Sequence, residues 1–582
     1  MASRLAVRLR RRPTTEVQVG EMRRAVVRFR PALAGQGLRI SGAVGLALTA
    51  TALELLKPWP ISWMIDHLIA STDPATIPLG PILVFAAIAL LAPVLLGFVM
   101  ERLEILVAAI SRKATVRIRS QVFGHMNRLE LTEHQRHYTG DLLVRLMGDV
   151  NMIRDLLVPS WVNILSRGSL LIGAAVVFAI IDWRLFVVAL VPLPLLWLGL
   201  DRTSTAVKVA AGKQRRKEGA IASQAAESLR QVGLIKAFAA EERTTDLFVR
   251  EARSAERASM AAARHAARMS RTTEILTGTG VALVLVVGAM RVRDGMLTPG
   301  GLVLAISYTR MMYKPVRKLT AEGARLAKAV ACANRVVDLL DRPVEHADVG
   351  RKVRALRGHI DIRGLGHVYG DGRRSLSGLD VTVPAGSLVA VTGENGTGKS
   401  TLLSLLLRLH TPTEGSIRVD GVDVNELRLG EYREQIAYVP QELALFGGTI
   451  RDNILFARDD ATDDEIRAAA DLALFTPVLA RLPHGLDTQL HEAGASLSGG
   501  QARRLMLTRA ALRDASILLL DEPLAGLDPE ARTLVARAIS NIADGRTTFV
   551  VHHGDLTDLG PDIELRLDRV DRWRSPLQAV AT

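Results

Sequence analysis

The sequence predicts an α-helical polytopic membrane domain of six transmembrane helices with long cytoplasmic extensions, fused to an α/β phosphate-loop domain. Three observations predict it. Six apolar stretches, each near the length that crosses a bilayer, fall within the first 315 residues or so. The loops between them alternate short and long, and positive charge follows the long ones. Beyond them the chain turns polar and carries a glycine-rich loop between an apolar strand and an apolar helix.

A membrane-crossing helix needs roughly 20 mostly apolar residues. The candidates are residues 40–65, 81–103, 161–181, 184–200, 275–292 and 300–314. The fourth and sixth are short and extend at their cytoplasmic ends. Any one of them alone reads equally well as a buried helix of a soluble protein; six in series do not.

The segments 66–80, 182–183 and 293–299 are short, whereas 104–160 and 201–274 are long, polar and rich in helix formers. The chain before Ile40 holds ten arginines against two glutamates, and the two long loops hold eight and fifteen Lys/Arg. The short loops and their edges hold only Arg184, Arg291 and Arg293. Positive residues stay in the cytoplasm, so the N-terminus and both long loops lie inside, and the sixth span delivers the chain to the same side. The net charge of +14 therefore reads as a membrane-flanking charge, with no nucleic acid as partner. Residues 14–33 form an amphipathic stretch expected to lie along the inner membrane surface. Residues 1–13 are arginine-rich and lack the apolar core of a secretory signal. The single cysteine, Cys332, has no partner for a disulfide and reads as a packing residue.

The run Val389–Thr392 is a short buried strand leading into Gly393-Glu394-Asn395-Gly396-Thr397-Gly398-Lys399-Ser400-Thr401. A glycine, four residues, then Gly-Lys-Ser is the phosphate-loop pattern. Its glycines let backbone N–H groups curl around phosphates, Lys399 offers a cation to the outer phosphates, and Ser400 is placed to ligate Mg2+. The run Ser516–Glu522 reads as a second buried strand, ending in two acids. Asp521 is placed to hold Mg2+ and Glu522 to orient or deprotonate the attacking water. These residues make the soluble part a phosphate-loop ATPase domain with ATP and Mg2+ as cofactors. Between them, Leu497-Ser498-Gly499-Gly500-Gln501 opens a helix whose N-terminus is a second nest for an anion. One nucleotide per chain does not need two nests, so the second points to another chain's nucleotide.

With these motifs on the page, the chain resembles a half-size ABC transporter of the B-type exporter architecture. That resemblance implies residues 1–36 as a cytoplasmic N-terminal segment, 37–340 as the transmembrane domain, 341–357 as a linker and 358–582 as the nucleotide-binding domain. It matches Tyr369 to the aromatic that stacks on adenine and Gln441 to the glutamine that reaches Mg2+. It also matches Leu497–Gln501 to the signature that closes over the partner's γ-phosphate, Asp528 to dimer communication and His553 to the switch histidine. Residues 139–146 and 227–238 resemble its two intracellular loops, and Glu492 its acidic loop before the signature. Catalytic Glu522 and His553 are both kept, as hydrolysis requires. The implied assembly is a homodimer, or a heterodimer with a related half-transporter, in the bilayer of a bacterial inner membrane.

The transported substrate is not written in any motif. Glu54, Lys57, Arg310 and Lys314 sit inside spans, as do Glu101, Arg102 and Arg167. Charges at such depth face a watery cavity or one another. They either form a polar cargo cavity or pair internally, for instance Glu54 with Lys57, with Arg310 and Lys314 snorkelling to the inner interface. Export of an amphipathic small molecule, lipid or peptide leads. Import of a siderophore-like ligand, or a non-pumping ATP-gated channel or regulatory subunit, are the alternatives.

Overall fold

The computed structural model describes residues 15–70, 79–136, 139–345, 349–490, 497–553 and 559–568. The Glu492 motif position lies outside them. The chain divides into two units, one of residues 1–127 with 139–342 and one of residues 128–138 with 343–582.

The first unit is helical throughout. In chain order its helices, with one belonging to the second unit, are α1 (Thr15–Phe29), α2 (Gly37–Leu56), α3 (Pro58–Ala70), α4 (Leu79–Met126), α5 (Leu131–Arg136, in the second unit), α6 (Thr139–Val144), α7 (Val150–Leu157), α8 (Pro159–Ile181), α9 (Trp183–Leu190), α10 (Pro192–Arg230), α11 (Val232–Ala237), α12 (Glu241–Arg293) and α13 (Pro299–Leu340). Among the described residues, four helical stretches are long and apolar enough to cross a membrane: Gly37–His67, Leu79–Met126, Gly140–Ile181 and Glu241–Arg293. Trp183–Leu195 is a shorter apolar helix. The apolar starts of α10 and α13 run on without a break into polar helix.

The long helices overshoot any bilayer. The 48 residues of α4 span about 72 Å at 1.5 Å per residue, against an apolar core of about 30 Å. Inside the unit, polar side chains pin helix to helix at chosen points. Asp182 caps α9 through the N–H groups of Arg184 and Leu185, at 2.9 and 3.2 Å, and its other oxygen takes Arg291 Nε at 2.5 Å. Asp66 accepts from Gly300 N at 2.6 Å and Thr298 Oγ1 at 2.9 Å, tying α3 to the start of α13. Tyr308 Oη donates to Leu55 O at 2.7 Å and accepts from Trp59 Nε1 at 2.8 Å. Each removes a polar group from an apolar surround by giving it a partner.

Helix α1 forms, and part of its apolar side packs within the unit while Val27 stays exposed. Ala25 and Phe29 are buried within the unit. Arg24 pairs with Asp341 at 2.7 Å and with Asp338 at 3.8 Å, at the end of α13. That end lies about 60 Å along the helix from Pro299, roughly twice the bilayer core.

The second unit is α/β. Its antiparallel sheet runs β2 (Arg374–Val383), β1 (Ile360–Val368), β4 (Glu414–Val419), β5 (Val422–Asp423). Its parallel sheet runs β11 (Ile563–Arg566), β3 (Leu388–Thr392), β10 (Thr547–Val551), β9 (Ile517–Asp521), β6 (Ile436–Val439). A two-residue pair, β7 (Gly448–Thr449) with β8 (Gln489–Leu490), completes the strands. Strands β9 and β10 are buried at every residue, as continuous apolar runs in parallel sheets are. Helices α14 (Lys399–Leu406), α15 (Gly499–Leu512) and α16 (Pro529–Ala543) carry the motifs. Leu402, Leu403 and Leu406 of α14 pack with Val389, Val391, Leu519 and Phe549 from the sheet.

Candidate nucleotide site

Register brings the site together. Val551 of β10 lies opposite Val391 of β3 on one side and Asp521 of β9 on the other. The three strands therefore end at one level, and the loops that leave them meet. Ligands of open parallel sheets bind in that crevice, beyond the carboxyl ends of the strands.

The loop after β3 is shaped by glycine. Gly398 has φ +98° and Gly393 φ +144°, which disfavour other residues. A Cβ on Gly398 would strike the Ser375 carbonyl, and one on Gly393 the Leu567 carbonyl. The loop so closed holds Lys399 at its centre. The ammonium donates to Gly393 O and Glu394 O, both at 2.7 Å, and lies 3.4 Å from His553 Nδ1. Burial pulls the Lys399 pKa below the usual lysine range, while Glu522 and Asp521 oppose the shift.

The acids follow β9. Ser400 Oγ donates to Asp521 Oδ1 at 3.4 Å, so the two expected Mg2+ ligands are already neighbours. Burial raises the Asp521 pKa above the usual carboxylate range. A carboxylate stripped of water and paired only with a hydroxyl suits a cation. Glu522 adopts φ +48° while its N–H donates to Val551 O at 3.0 Å. That turn aims its carboxylate across the crevice. One oxygen accepts from Gln441 Nε2 at 2.7 Å, and the other faces His553 Nε2 at 2.7 Å. An ammonium can only donate, so Lys399 makes His553 Nδ1 an acceptor and leaves the proton on Nε2, pointing at Glu522. His553 is thus the histidine that reaches the site. His552 before it is buried, and its Nδ1 has no partner.

A cavity of about 280 Å3 opens here, lined by Tyr369, Asn395, Gly396, Gly398, Lys399, Ser400, Thr401, Gln441, Glu522 and His553. Tyr369 Oη lies 2.9 Å from Thr401 Oγ1. Of the residues picked from sequence for one nucleotide, these converge; Asp521 stands behind Ser400, and Gly393, Glu394 and Thr397 form the outer side of the loop. Gln441 reaches Glu522, the neighbour of the expected metal ligand.

Sequence reasoning missed four residues. Arg373, Arg374 and Ser375 line the same cavity, and the Arg373 guanidinium lies 5.1 Å from the Tyr369 ring centroid. A tight turn, in which Tyr369 N donates to Arg373 O, folds these cations back over the tyrosine. Their signal was a basic pair just past the aromatic residue, which the sequence leaves unplaced. Arg503, buried in α15, donates to Pro440 O at 2.8 Å and to Gln441 O, and so holds the Gln441 loop.

The signature segment stands apart. Ser498 accepts from Gln501 N at 3.4 Å and Gln501 Oε1 accepts from Ser498 N at 3.0 Å, a reciprocal cap at the start of α15. The N–H groups of Gly499 and Gly500 then have no partner within their own helix. Gly500 is buried where a Cβ would meet the Ala531 methyl at 2.7 Å, so packing against α16 demands glycine as well. Neither Leu497–Gln501 nor Asp528, which caps α16 through Ala531 N at 3.3 Å, lines the cavity.

The span charges do not gather as one site. Among the described residues Glu54 and Lys57 make no ion pair with each other, so the internal pairing does not form. Arg310 and Lys314 are exposed on α13. Glu54 instead lines a cavity with Arg167, and Lys57, Arg310 and Lys314 do not.

Comparison with known proteins accounts for both units. Residues 41–316 match the ABC transporter transmembrane region family model and residues 376–525 match the ABC transporter family model. The chain is 31% identical over 437 residues to an ATP-dependent lipid A-core flippase of Desulfotalea psychrophila, covering 75% of this chain and 76% of that one. It is 31% identical over 446 residues to the same-named protein of Chromohalobacter salexigens, covering 76% and 77%. It is 28% identical over 511 residues to the ABC transporter ATP-binding protein YfiC of Bacillus subtilis, covering 87% and 84%.

Proposed function

The chain belongs to the ABC transporter family and is an ATP-driven membrane transporter, and from that premise we propose that it exports a lipid-like amphipath as a dimer. The relatives named as lipid A-core flippases support the cargo class. The observation that carries an active pump is the contact set of Glu522, which joins Gln441, His553 and, through His553, Lys399.

On this reading Glu522 accepts a proton from the attacking water, and His553 keeps the carboxylate in place. Lys399 and the loop N–H groups neutralise the phosphates, helped by Arg373 and Arg374. Ser400 and Asp521 would hold Mg2+, with Gln441 beside them, and the ion would supply positive charge against the phosphates. Tyr369 takes the adenine ring. The signature Leu497–Gln501, absent from its own chain's cavity, closes a second copy's site with its free Gly499 and Gly500 N–H groups. Asp528 sits at the same interface. We further propose six spans with the N-terminus and the ATPase unit in the cytoplasm at a bacterial inner membrane, a topology that the charge asymmetry of the loops supports.

The test is reconstitution. In proteoliposomes bearing fluorescent headgroup-labelled lipid, ATP should move label from the ATPase-exposed leaflet to the opposite one, and vanadate should stop it. Movement in the reverse direction would favour import. Vanadate-insensitive ATPase together with no movement of label would sink the pump.

A further inference from the structure

We propose that each subunit holds, among α2, α4 and α7–α8, a binding site for the headgroup of a zwitterionic amphipath drawn from the inner leaflet. This deepens the export reading and rests on it. The cavity measures about 440 Å3 and is walled by these helices of a single chain.

Four of its charged residues have no partner among the described residues. Glu54 and Arg167 both line it, and no hydrogen bond or ion pair reaches either side chain from the described residues. The same holds for Glu104 and Arg112 lower down. Arg154 and Asp155, also on the wall, satisfy each other at 2.8 Å and leave the rest unanswered. Ser111 adds an independent sign: it is 6% exposed, lines the cavity, and its hydroxyl has no hydrogen-bond partner. Buried polar groups are nearly always satisfied, so the orphan hydroxyl of this wall residue is a further unanswered polar group beside the charges.

Depth selects an amphipath. Arg167 lies 14 residues before the end of α8 at Ile181, about 21 Å along the helix. Glu54 lies 16 residues before Ala70, about 24 Å. Both therefore fall in the inner third of a core of about 30 Å. Glu104 and Arg112, about 38 and 50 Å from Leu79 along α4, fall at and below the inner headgroup level. The cavity descends from hydrocarbon to water, the path a headgroup takes when its chains stay in the leaflet. Charge selects the headgroup. An arginine takes a phosphate by paired hydrogen bonds, and a carboxylate takes an ammonium. A headgroup that carries both a phosphate and an amine offers a partner to each, whereas a purely anionic headgroup meets Glu54 as a like charge. Ionisable groups left unpaired within a membrane are costly, which a bound ligand of both signs relieves.

The experiment is photo-crosslinking in nanodiscs with phosphatidylethanolamine carrying a photoreactive acyl chain near the headgroup, read by peptide mapping. The wild-type chain should be labelled within residues 100–112 and 159–170. Lysophosphatidylethanolamine should compete at least tenfold better than chain-less glycerophosphoethanolamine, which separates a leaflet lipid from a soluble headgroup. Arg167→Gln should cut labelling by phosphatidylethanolamine and by an analogous phosphatidylglycerol probe at least fivefold. Glu54→Gln should cut only the first and leave the second equal or higher. Ala108→Trp, which fills the cavity without touching charge, should abolish both. Arg293→Gln, at the far end of α12, is the control that changes neither. Labelling unaffected by Arg167→Gln and Ala108→Trp, in variants that still bind ATP, would overturn the proposal. So would a Glu54→Gln effect equal for both probes. Site-specific labelling with no lipid movement would defeat the export reading alone.

Discussion

Glu522 and His553 lie 2.7 Å apart, carboxylate oxygen to ring nitrogen, at the ends of neighbouring parallel strands. The contact joins two residues 31 positions apart in sequence and leaves the other carboxylate oxygen to Gln441. Every group that touches the acid is a donor. The two contacts fix the direction of its carboxylate.

Replacing Glu522 with Gln keeps the size and the contact to His553 but removes the base. ATP hydrolysis should fall by about 100-fold or more. ATP binding, followed by a fluorescent analogue, should be retained. His553→Ala should lose less rate, because the base remains and only its placement suffers. Equal activity in Glu522→Gln and the unaltered protein would remove Glu522 from the reaction.

Gly398→Ala tests the cradle. The methyl meets the Ser375 carbonyl in a backbone conformation at φ +98° that alanine rarely adopts. The strain, on the order of 1–3 kcal/mol, falls on the loop that must wrap phosphate. Affinity for ATP should drop at least tenfold in equilibrium titration, with a modest loss in melting temperature. Gly396→Ala offers a comparison, since nothing lies within 4 Å of its added carbon and only the φ of +84° opposes it.

Asp149 and Arg335 test a buried pair in the helical unit. The guanidinium meets the carboxylate twice, at 2.9 and 2.7 Å, and the Asp149 side chain is only 6% exposed. Arg335→Ala strands that carboxylate and should destabilise the unit by roughly 2–3 kcal/mol, below a fully buried pair because Arg335 is half exposed. Asp149→Asn combined with Arg335→Ala should recover much of the loss. A thermal melt of the four proteins in detergent measures the coupling.

His367 and His410 predict a pH dependence of the second unit. Both are buried beside Tyr369, with ring centroids 5.4 Å apart, and burial lowers both pKa values below the ordinary 6.5. His367 Nδ1 contacts Thr411 O at 3.1 Å, while His367 Nε2 and His410 Nδ1 have no partner. The unfolded chain therefore binds these protons more readily than the folded one. Stability is intact above pH 6.5 and is lost as pH falls from there through the lowered folded values. His410→Gln should flatten that slope in melts between pH 7 and 5. An unchanged slope would assign the acid lability elsewhere.

Much of the second unit was legible because its chemistry is local in sequence. The glycines, Lys399 and Ser400 are nine consecutive residues or fewer apart, so the pattern states its own geometry. Leucine and isoleucine runs ending in Asp521 and Glu522 mark a buried strand and its exit in the same way. Arg503 and Arg373 were not legible. One acts through the backbone carbonyls of a loop about sixty residues away, the other through a turn that only the sheet positions.

In the helical unit, length and apolarity declared helices, and arginine bias declared sides. Periodicity also declared α1, but an amphipathic helix does not say which apolar surface it will meet. Tertiary structure supplied one such surface, where Phe29 is buried within the unit and Arg24 meets Asp338 and Asp341 at the end of α13.

The sequence by itself determined that this protein has a phosphate-binding loop, a pair of acids to serve it and apolar helices to cross a bilayer, since each is a property of residues close along the chain. Only tertiary structure decided that His553 lies 2.7 Å from Glu522, that Arg373 and Arg503 serve the site, and that Glu54 shares a cavity wall with Arg167 and does not pair with Lys57. Those are relations between distant segments, set by strand register and helix packing, and no local pattern encodes them.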